Sequence, residues 1–175
     1  DAGACQPHVF SMSCKVTCCL KELNTPEGRA RAIMWWKANG FTKVWLESYR
    51  HTECVPDALL IEERDALRAE GFTVCGLITP TQLNYAPAGG VSRMVVCWSD
   101  PKARERMRTE VARVARIFDT VIVDDFLFST CDDRCKRCKA DKEQRKIADW
   151  GEYARALLFE VSEQDILAVA KAANP

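Results

Sequence analysis

The feature that most constrains the fold is a regular alternation of short apolar runs with longer segments of helical periodicity. The apolar runs lie at residues 9–14, 43–47, 72–78 and 119–123. Because each run precedes a segment of helical character, the alternation predicts parallel strands joined by right-handed crossover helices. We expect one α/β domain over residues 1–175, built of four βα units.

Residues that begin and end helices support these boundaries. Thr25 before Pro26 and Asp100 before Pro101 combine a capping side chain with a proline suited to the first helical turn. Gly71 is predicted to end the second helix. The predicted apolar faces comprise Ala30, Ile33, Met34 and Trp36 in the first helix and Met107, Val111, Val114 and Phe118 in the third.

The C-terminal part of the sequence is predicted to be helical in two pieces. An apolar stripe over 150–161 predicts one helix, and 162–165 has the pattern of a new N-cap from which a short helix continues over 166–173. The charged segment 141–148 is expected to form a solvated turn or a short helix, and 93–97 an extra strand. The arginines between 104 and 116 alternate with glutamates, which predicts a solvated, salt-bridged helix face.

Two architectures can close four βα units. One is half of a (β/α)8 barrel of ~250 residues, and the other is a small open doubly wound sheet. We favour the half barrel because the loops after the strands are long and those before them are short. A fifth strand would then follow Pro175, and the open edge would require a second half-barrel or a homo-oligomer.

Charge and composition exclude several functions. Lysine plus arginine equal aspartate plus glutamate at 25 each, so no nucleic-acid or membrane-surface partner is indicated. The longest apolar runs fall short of the roughly 20 residues of a membrane span. Because the sequence begins at Asp1, we expect a leader or precursor segment to have been removed. The ten cysteines are interpreted as mostly reduced, which favours the cytoplasm and leaves secretion as the alternative.

Three carboxylates are the candidate catalytic groups. Asp124 and Asp125 follow the fourth strand, and Glu47 ends the second. Carboxyl ends of parallel strands carry the active sites of barrel enzymes, and two carboxylates flanking a bond are the minimum for glycoside cleavage. Only one of Asp124 and Asp125 can face the interior, because adjacent strand residues point to opposite sides. The alternative is that one of these aspartates caps a helix or pairs with an arginine such as Arg50 or Arg93.

Four residues near strand ends are candidates for substrate binding. Trp45 and Trp98 could stack on a sugar ring, although core packing is expected for at least one of them. Tyr49 and His51 lie beyond the second strand, where they could line the pocket. A lone loop histidine is more often a surface residue, so His51 has that second interpretation.

A cysteine cluster in the last third of the sequence, formed by Cys131, Cys135 and Cys138, is a candidate metal site. Its C-x3-C-x2-C spacing would supply three thiolate ligands, with a fourth from Cys97, Cys54 or His51. A structural zinc is one interpretation of this cluster, and glycoside cleavage by carboxylates would require no cofactor. The spacing also resembles that of radical S-adenosylmethionine enzymes, but Arg137 stands where that motif has an aromatic residue. The remaining alternative is thiols that pack a loop or form a disulfide.

Residues 118–128, the cysteine loop and 150–158 together resemble a group of glycoside hydrolase barrel proteins. These carry an Asp-Asp-Phe sequence at strand four, here Asp124 to Phe126, and are compared with retaining α-galactosidases. The resemblance extends to Pro175 and covers half of such a barrel. It implies a carbohydrate substrate, a nucleophile at Asp124 or Asp125, and an acid/base carboxylate from the second half. The chain alone is then expected to show little activity. The alternative function is a non-catalytic zinc- or sugar-binding α/β module.

Overall fold

The computed structural model describes residues 9–51, 53–81, 96–125 and 131–175. Its sheet consists of β1 (Phe10–Cys14), β2 (Phe41–Arg50), β3 (Glu53–Cys54), β4 (Thr73–Thr79) and β5 (Val121–Val123). The order is β1-β2-β4-β5, and these four strands are parallel. The short β3 pairs antiparallel with the end of β2. The predicted α/β class with a parallel sheet is confirmed.

Helices occupy the connections between the strands and the C-terminal part. They are α1 (Val16–Cys18), α2 (Pro26–Ala38), α3 (Asp57–Ala69), α4 (Pro101–Ile117), α5 (Lys136–Gln144), α6 (Trp150–Val161) and α7 (Ala168–Ala173). Two π-helical segments, Cys19–Leu23 and Ser162–Leu167, continue α1 and α6. In the described residues, no helix is long and apolar enough to cross a membrane.

The parallel strands follow one another in chain order, so successive right-handed crossovers place their helices on one face of the sheet. Gly76 identifies that face, because a Cβ there would lie 2.5 Å from Val114 of α4. The opposite side, which we call the open face, carries Trp45, Glu47, Leu77 and Ile122, since Glu47 pairs with Leu77 and Leu77 with Ile122. A doubly wound sheet would have a reversal of strand order, and the described strands have none.

The predicted helix boundaries agree well with the structure. The Thr25 hydroxyl accepts a hydrogen bond from the Gly28 N–H at 3.1 Å, and Pro26 begins α2. The Asp100 carboxylate likewise caps α4 by accepting from the Lys102 N–H at 3.1 Å. Gly71 follows α3 with φ +90°, a backbone conformation in which a side chain would be strained. These ends were predictable because capping is a local property of the chain.

The apolar face predicted for α4 is confirmed: Met107, Val111, Val114 and Phe118 are all buried. The face predicted for α2 is right for Trp36, which is buried, and for Ile33, which packs partly buried against the core. It is wrong for Met34, which is 69% exposed, and for Ala30, which is also exposed. Gly28 and Arg29 are buried instead. The first turn of α2 packs against the π-helical segment, where a Cβ on Gly28 would lie 1.7 Å from the Glu22 carbonyl oxygen.

The predicted break at Ser162 is wrong, because the chain remains helical through the π-helical segment into α7. The Ser162 hydroxyl donates to the Leu158 carbonyl at 2.8 Å and does not cap a new helix. The wider turn places Asp165 in the interior, where its carboxylate pairs with Arg104 and Arg108 of α4. The arginine face of α4 is therefore salt-bridged as predicted, but part of it is buried against the last helix.

Two further predictions are partly answered. The charged segment 141–148 is helical only as far as Gln144, where α5 ends. Of the strand predicted at 93–97, the structure describes only Val96 and Cys97, and Val96 forms an isolated bridge. The segments 1–7 and 87–90 lie outside the described residues.

Candidate active site

Glu47, at the carboxyl end of β2, is a completely buried acid whose carboxylate is fully engaged. One oxygen accepts a hydrogen bond from the Val16 N–H at 2.9 Å. The other accepts from the Arg50 Nε at 2.8 Å and from the Thr79 hydroxyl. Three donors from three segments thus offset the cost of burying the charge. Glu47 is held rigidly in one position by these contacts.

Arg50 connects this buried acid to the solvent-facing part of the site. Its Nη2 lies 3.2 Å from the Thr79 hydroxyl oxygen and 3.9 Å from a carboxylate oxygen of Asp124. The side chain is 22% exposed, so the ion pair with Glu47 is only partly screened by water. The guanidinium is therefore oriented by Glu47 and Thr79, and its Nη2, which contacts Thr79, is also the atom nearest Asp124.

Asp124 and Asp125 follow β5 and differ in backbone geometry. The Asp124 N–H donates to the Ile78 carbonyl at 2.8 Å, which extends the strand pairing by one residue. Asp124 lies two residues beyond Ile122, so it belongs to the open face, and its side chain is 47% exposed. Asp125 has φ +56°, a left-handed conformation in which the chain turns away from the strand direction. Asp124 is therefore the aspartate that shares a side with Glu47.

Tyr49 and His51 lie beyond Glu47 on β2 and its exit. The Tyr49 ring is buried against the guanidinium of Arg106, 5.4 Å from the ring centroid, and its hydroxyl donates to the His51 carbonyl. Burial raises the pKa of Tyr49. The His51 Nδ1 lies 2.9 Å from the Thr81 hydroxyl oxygen, and its φ is +58°. The packing of Tyr49 accounts for it without a ligand, whereas half-buried His51 remains accessible from the carboxyl edge.

The two tryptophans have different surroundings. Trp45 is partly exposed on the open face, and the Lys43 ammonium lies 4.3 Å from its ring centroid. Trp98 is completely buried in the core. Of the two, Trp98 is the one that packs in the core, because no ligand can stack on a ring that is enclosed on all sides. Trp45 retains a face that a sugar could contact.

The cysteines predicted as metal ligands converge with a fourth cysteine. Sulfur atoms of Cys97, Cys131, Cys135 and Cys138 all lie within 4.8 Å of one another. The Cys97 sulfur is 3.8 Å from that of Cys135 and 3.6 Å from that of Cys138. Within the described residues, none of the four forms a disulfide bond. The structure thus selects Cys97 from the three suggested fourth ligands, and we call these residues the four-cysteine cluster.

Close contact between the thiols of the four-cysteine cluster favours a shared negative charge. Hydrogen bonds from Cys131 and Cys138 lower the pKa of the Cys97 thiol. Hydrogen bonds to Cys138 and Cys97, together with burial, raise the pKa of Cys131. The Ser99 hydroxyl oxygen lies 3.3 Å from the Cys97 sulfur and 3.2 Å from that of Cys138. Four convergent thiols with a neighbouring hydroxyl form a set of ligands suited to a soft divalent metal.

Sequence reasoning named Arg50 as a possible partner of an aspartate, and Arg50 does lie 3.9 Å from Asp124. It missed the contact of Arg50 with Glu47 and the role of Thr79, because β2 contains a bulge. The pairing with β4 shifts between Glu47 and Tyr49, so that Tyr49 aligns with Ile78 and Arg50 with Thr79. Simple alternation would have placed Tyr49 beside Glu47 on the open face. The bulge moves Arg50 there instead and sends Tyr49 to the helix side. No pattern in the sequence signals this irregularity.

A parallel α/β sheet with an acid–arginine group at its carboxyl edge defines the general class of protein, an enzyme-like α/β domain. The model of one family, described as "Probable glycosyl hydrolase, catalytic domain", matches residues 2–175. The chain therefore belongs to this family of glycosyl hydrolase catalytic domains, which supports a carbohydrate hydrolase-like function and a carbohydrate substrate. No curated protein and no solved structure matches it.

Proposed function

We propose that the chain forms the nucleophile-bearing half of a retaining O-glycosidase. The observation that carries the proposal is the arrangement at the carboxyl edge, where partly exposed Asp124 lies 3.9 Å from Arg50 and Arg50 is anchored on fully buried Glu47. An accessible carboxylate beside an oriented guanidinium is suited to attack an anomeric carbon in a fixed direction. Asp124 is the proposed nucleophile.

Asp125 is the less suitable of the two aspartates. Its left-handed backbone ends the strand, whereas the Asp124 N–H still donates to the Ile78 carbonyl, so Asp124 is placed by the sheet. Groups held by strands are positioned more precisely than groups on turns. Asp125 is accordingly assigned to shaping the loop. The sequence alone could not assign different roles to these two adjacent aspartates.

Glu47 is proposed as a positioning residue. In a retaining glycosidase the two reacting carboxyl groups are about 5–5.5 Å apart, and one of them must exchange a proton with the leaving group. Both oxygens of Glu47 are occupied by donors, and the side chain is shielded from substrate. Its function is to hold Arg50 towards Asp124. The acid/base carboxylate is then supplied by a second half of the barrel.

Several features support a half barrel. The four parallel strands run in chain order, the helices cover one face, and β1 and β5 each pair with one neighbour within the described residues. Exposed apolar side chains lie at both ends of the sheet, and a second (β/α)4 unit would cover them. They are Val9 and Phe10 at the β1 end and Ile122 at the β5 end.

The carbohydrate would bind against the carboxyl edge of the open face. Trp45 offers an aromatic surface and His51 a polar ring for hydroxyl groups. The Asp124 to Phe126 sequence resembles that of a group of barrel proteins compared with retaining α-galactosidases, and this comparison supports the assignment of the retaining mechanism. In that mechanism Asp124 forms a covalent glycosyl–enzyme bond as the aglycone leaves with a proton, and water then hydrolyses it.

The test is chemical rescue of the assembled enzyme. Changing Asp124 to Gly should lower kcat on an aryl glycoside by about a thousandfold or more, because the covalent step is lost. Added azide should restore turnover by forming the glycosyl azide, since it replaces the missing carboxylate. Asp125→Gly is the matched control and should keep most of its activity without an azide effect. Rescue of Asp125→Gly in place of Asp124→Gly would reverse the assignment.

The half-barrel proposal has its own test. The 175-residue chain alone should hydrolyse aryl glycosides only very slowly, and activity should appear when a second half is present. Light scattering would show whether the active species is a complex of two halves or a pair of identical chains. Turnover by the isolated chain at enzyme-like rates would show that the half-barrel proposal is wrong.

The second candidate is a non-catalytic zinc- or sugar-binding module, which the four-cysteine cluster favours. On this proposal the acids are structural and the metal maintains the fold. The two candidates differ in the effect of Asp124→Gly on an assembled, sugar-binding protein. Loss of turnover with unchanged sugar affinity supports the hydrolase, and absence of turnover in the unmodified protein supports the module.

A further inference from the structure

The four-cysteine cluster joins two loops that are distant in sequence. Cys97 lies just before α4, and the other three cysteines lie between β5 and the first turn of α5. Both segments connect a strand to a helix, so they belong to the same carboxyl edge of the sheet as Asp124. Cys131, Cys135 and Cys138 are buried and Cys97 is half-buried, which places four polarisable sulfurs in an enclosed position.

The distances within the cluster match a mononuclear tetrahedral site. A Zn–S bond of about 2.3 Å implies sulfur–sulfur separations of about 3.8 Å along the edges of a tetrahedron. The Cys97 sulfur lies 3.8 Å and 3.6 Å from its neighbours in Cys135 and Cys138. A disulfide would require about 2.05 Å, and a multinuclear iron–sulfur cluster would hold the thiolates further apart.

The surroundings are suited to the negative charge of four thiolates. Cys135 is the N-cap of the nine-residue α5 and Cys138 lies in its first turn, where the helix dipole favours anions. Ser99 places its hydroxyl within 3.3 Å of two sulfurs, as expected of a group that donates to a ligand.

We infer that Cys97, Cys131, Cys135 and Cys138 bind one Zn²⁺ as a structural centre that ties the loop before α4 to the loop after β5. Binding replaces the thiol protons, which pass to the solvent, and involves no redox change. The ion fills all four positions with protein ligands, so it has no open position for substrate. The inference does not depend on the glycosidase proposal, because its readout is metal content.

The first experiment measures metal in protein purified without added zinc. About one zinc per chain is expected, with X-ray absorption showing four sulfur neighbours at about 2.3 Å. A mercurial reagent added to the protein without substitutions should react with the cysteine thiols and release that zinc. This measurement therefore does not require a variant to fold. Folded protein without metal, or protein containing iron at this position, would overturn the inference.

Variants then test the ligand set. Cys138→Ser and Cys97→Ser should each lower the zinc content severalfold and lower the melting temperature. Co²⁺ added to the apoprotein should give the absorption of a tetrahedral thiolate site only when all four cysteines are present. Cys54→Ser is the matched control, since Cys54 is exposed and outside the cluster. Zinc retained in full by Cys97→Ser would exclude Cys97 and overturn the four-cysteine site.

Discussion

Glu47 and Glu63 are both completely buried, yet their surroundings are opposite. Glu47 accepts hydrogen bonds from a backbone amide, a guanidinium and a hydroxyl. Glu63, on α3, has no nitrogen or oxygen partner for either carboxyl oxygen among the described residues, and the Cys19 thiol is the group it contacts. Arg29, whose charge lowers the pKa of Glu63, is engaged by Glu62 and by the Leu23 carbonyl.

The difference shows that burial alone does not determine the hydrogen bonding of an acidic side chain. Burial raises the pKa of Glu63 to about 7, because desolvation outweighs the contacts with Cys19 and Arg29. Glu47 lies where three segments converge at the carboxyl edge, and each of them supplies a donor to its carboxylate. Glu63 lies between α3 and the π-helical segment Cys19–Leu23, where a neutral carboxyl group is the more stable form.

The largest effect is expected from Glu47→Ala. Removing this carboxylate leaves the Arg50 guanidinium, the Val16 N–H and the Thr79 hydroxyl without their partner, so unfolding free energy should fall by about 3–5 kcal/mol. Urea unfolding at pH 7 measures it. A loss below about 1 kcal/mol would mean that water replaces the carboxylate and that Glu47 does not anchor Arg50.

Glu63→Gln should give a smaller effect that depends on pH. Between pH 4.5 and about 7 the unfolded chain loses the Glu63 proton while the folded chain retains it, so the stability of the unmodified protein should fall as the pH rises through that window. The variant should lack this decline, which amounts to about 2–3 kcal/mol. Urea unfolding at pH 5 and pH 8 measures the difference.

The matched control for Glu63 is its neighbour Glu62, which is 57% exposed and paired with Arg29. Glu62→Gln should leave the decline between pH 5 and pH 8 in place. If Glu63→Gln and Glu62→Gln had the same pH dependence as the unmodified protein, the buried carboxyl group would not be the source of the decline.

The smallest effect is expected from Thr79→Val, which keeps the shape of the side chain and removes its hydroxyl. The variant loses the donor to Glu47 and the acceptor for Arg50, at a cost of about 1 kcal/mol in unfolding free energy. Thr73→Val, on the exposed start of the same strand, should be nearly neutral. Equal effects at the two positions would argue against a specific network around Glu47.

Local patterns predicted much of the fold. Caps at Thr25 and Asp100 and the stripe along α4 depend on neighbours within a few residues, so they could be read from the sequence. The continuous last helix could not be predicted, because the wider π-helical turn is stabilised by a buried ion pair between Asp165 and arginines some 60 residues away.

Only part of the candidate site could be predicted, because its geometry also depends on contacts between distant segments. The acids stood out at strand ends, but the bulge that brings Arg50 to Glu47 arises from pairing with β4.

Three features can be read from the sequence alone. They are the alternation of strands and helices, the candidate acids at the strand ends and the three-cysteine spacing. These are properties of short segments, whose periodicity and composition carry the information. Tertiary structure decided which aspartate shares a side with Glu47, which tryptophan is buried, and that Cys97 completes the four-cysteine cluster. Those choices depend on register and packing between distant segments, where small shifts in pairing exchange one side chain for another.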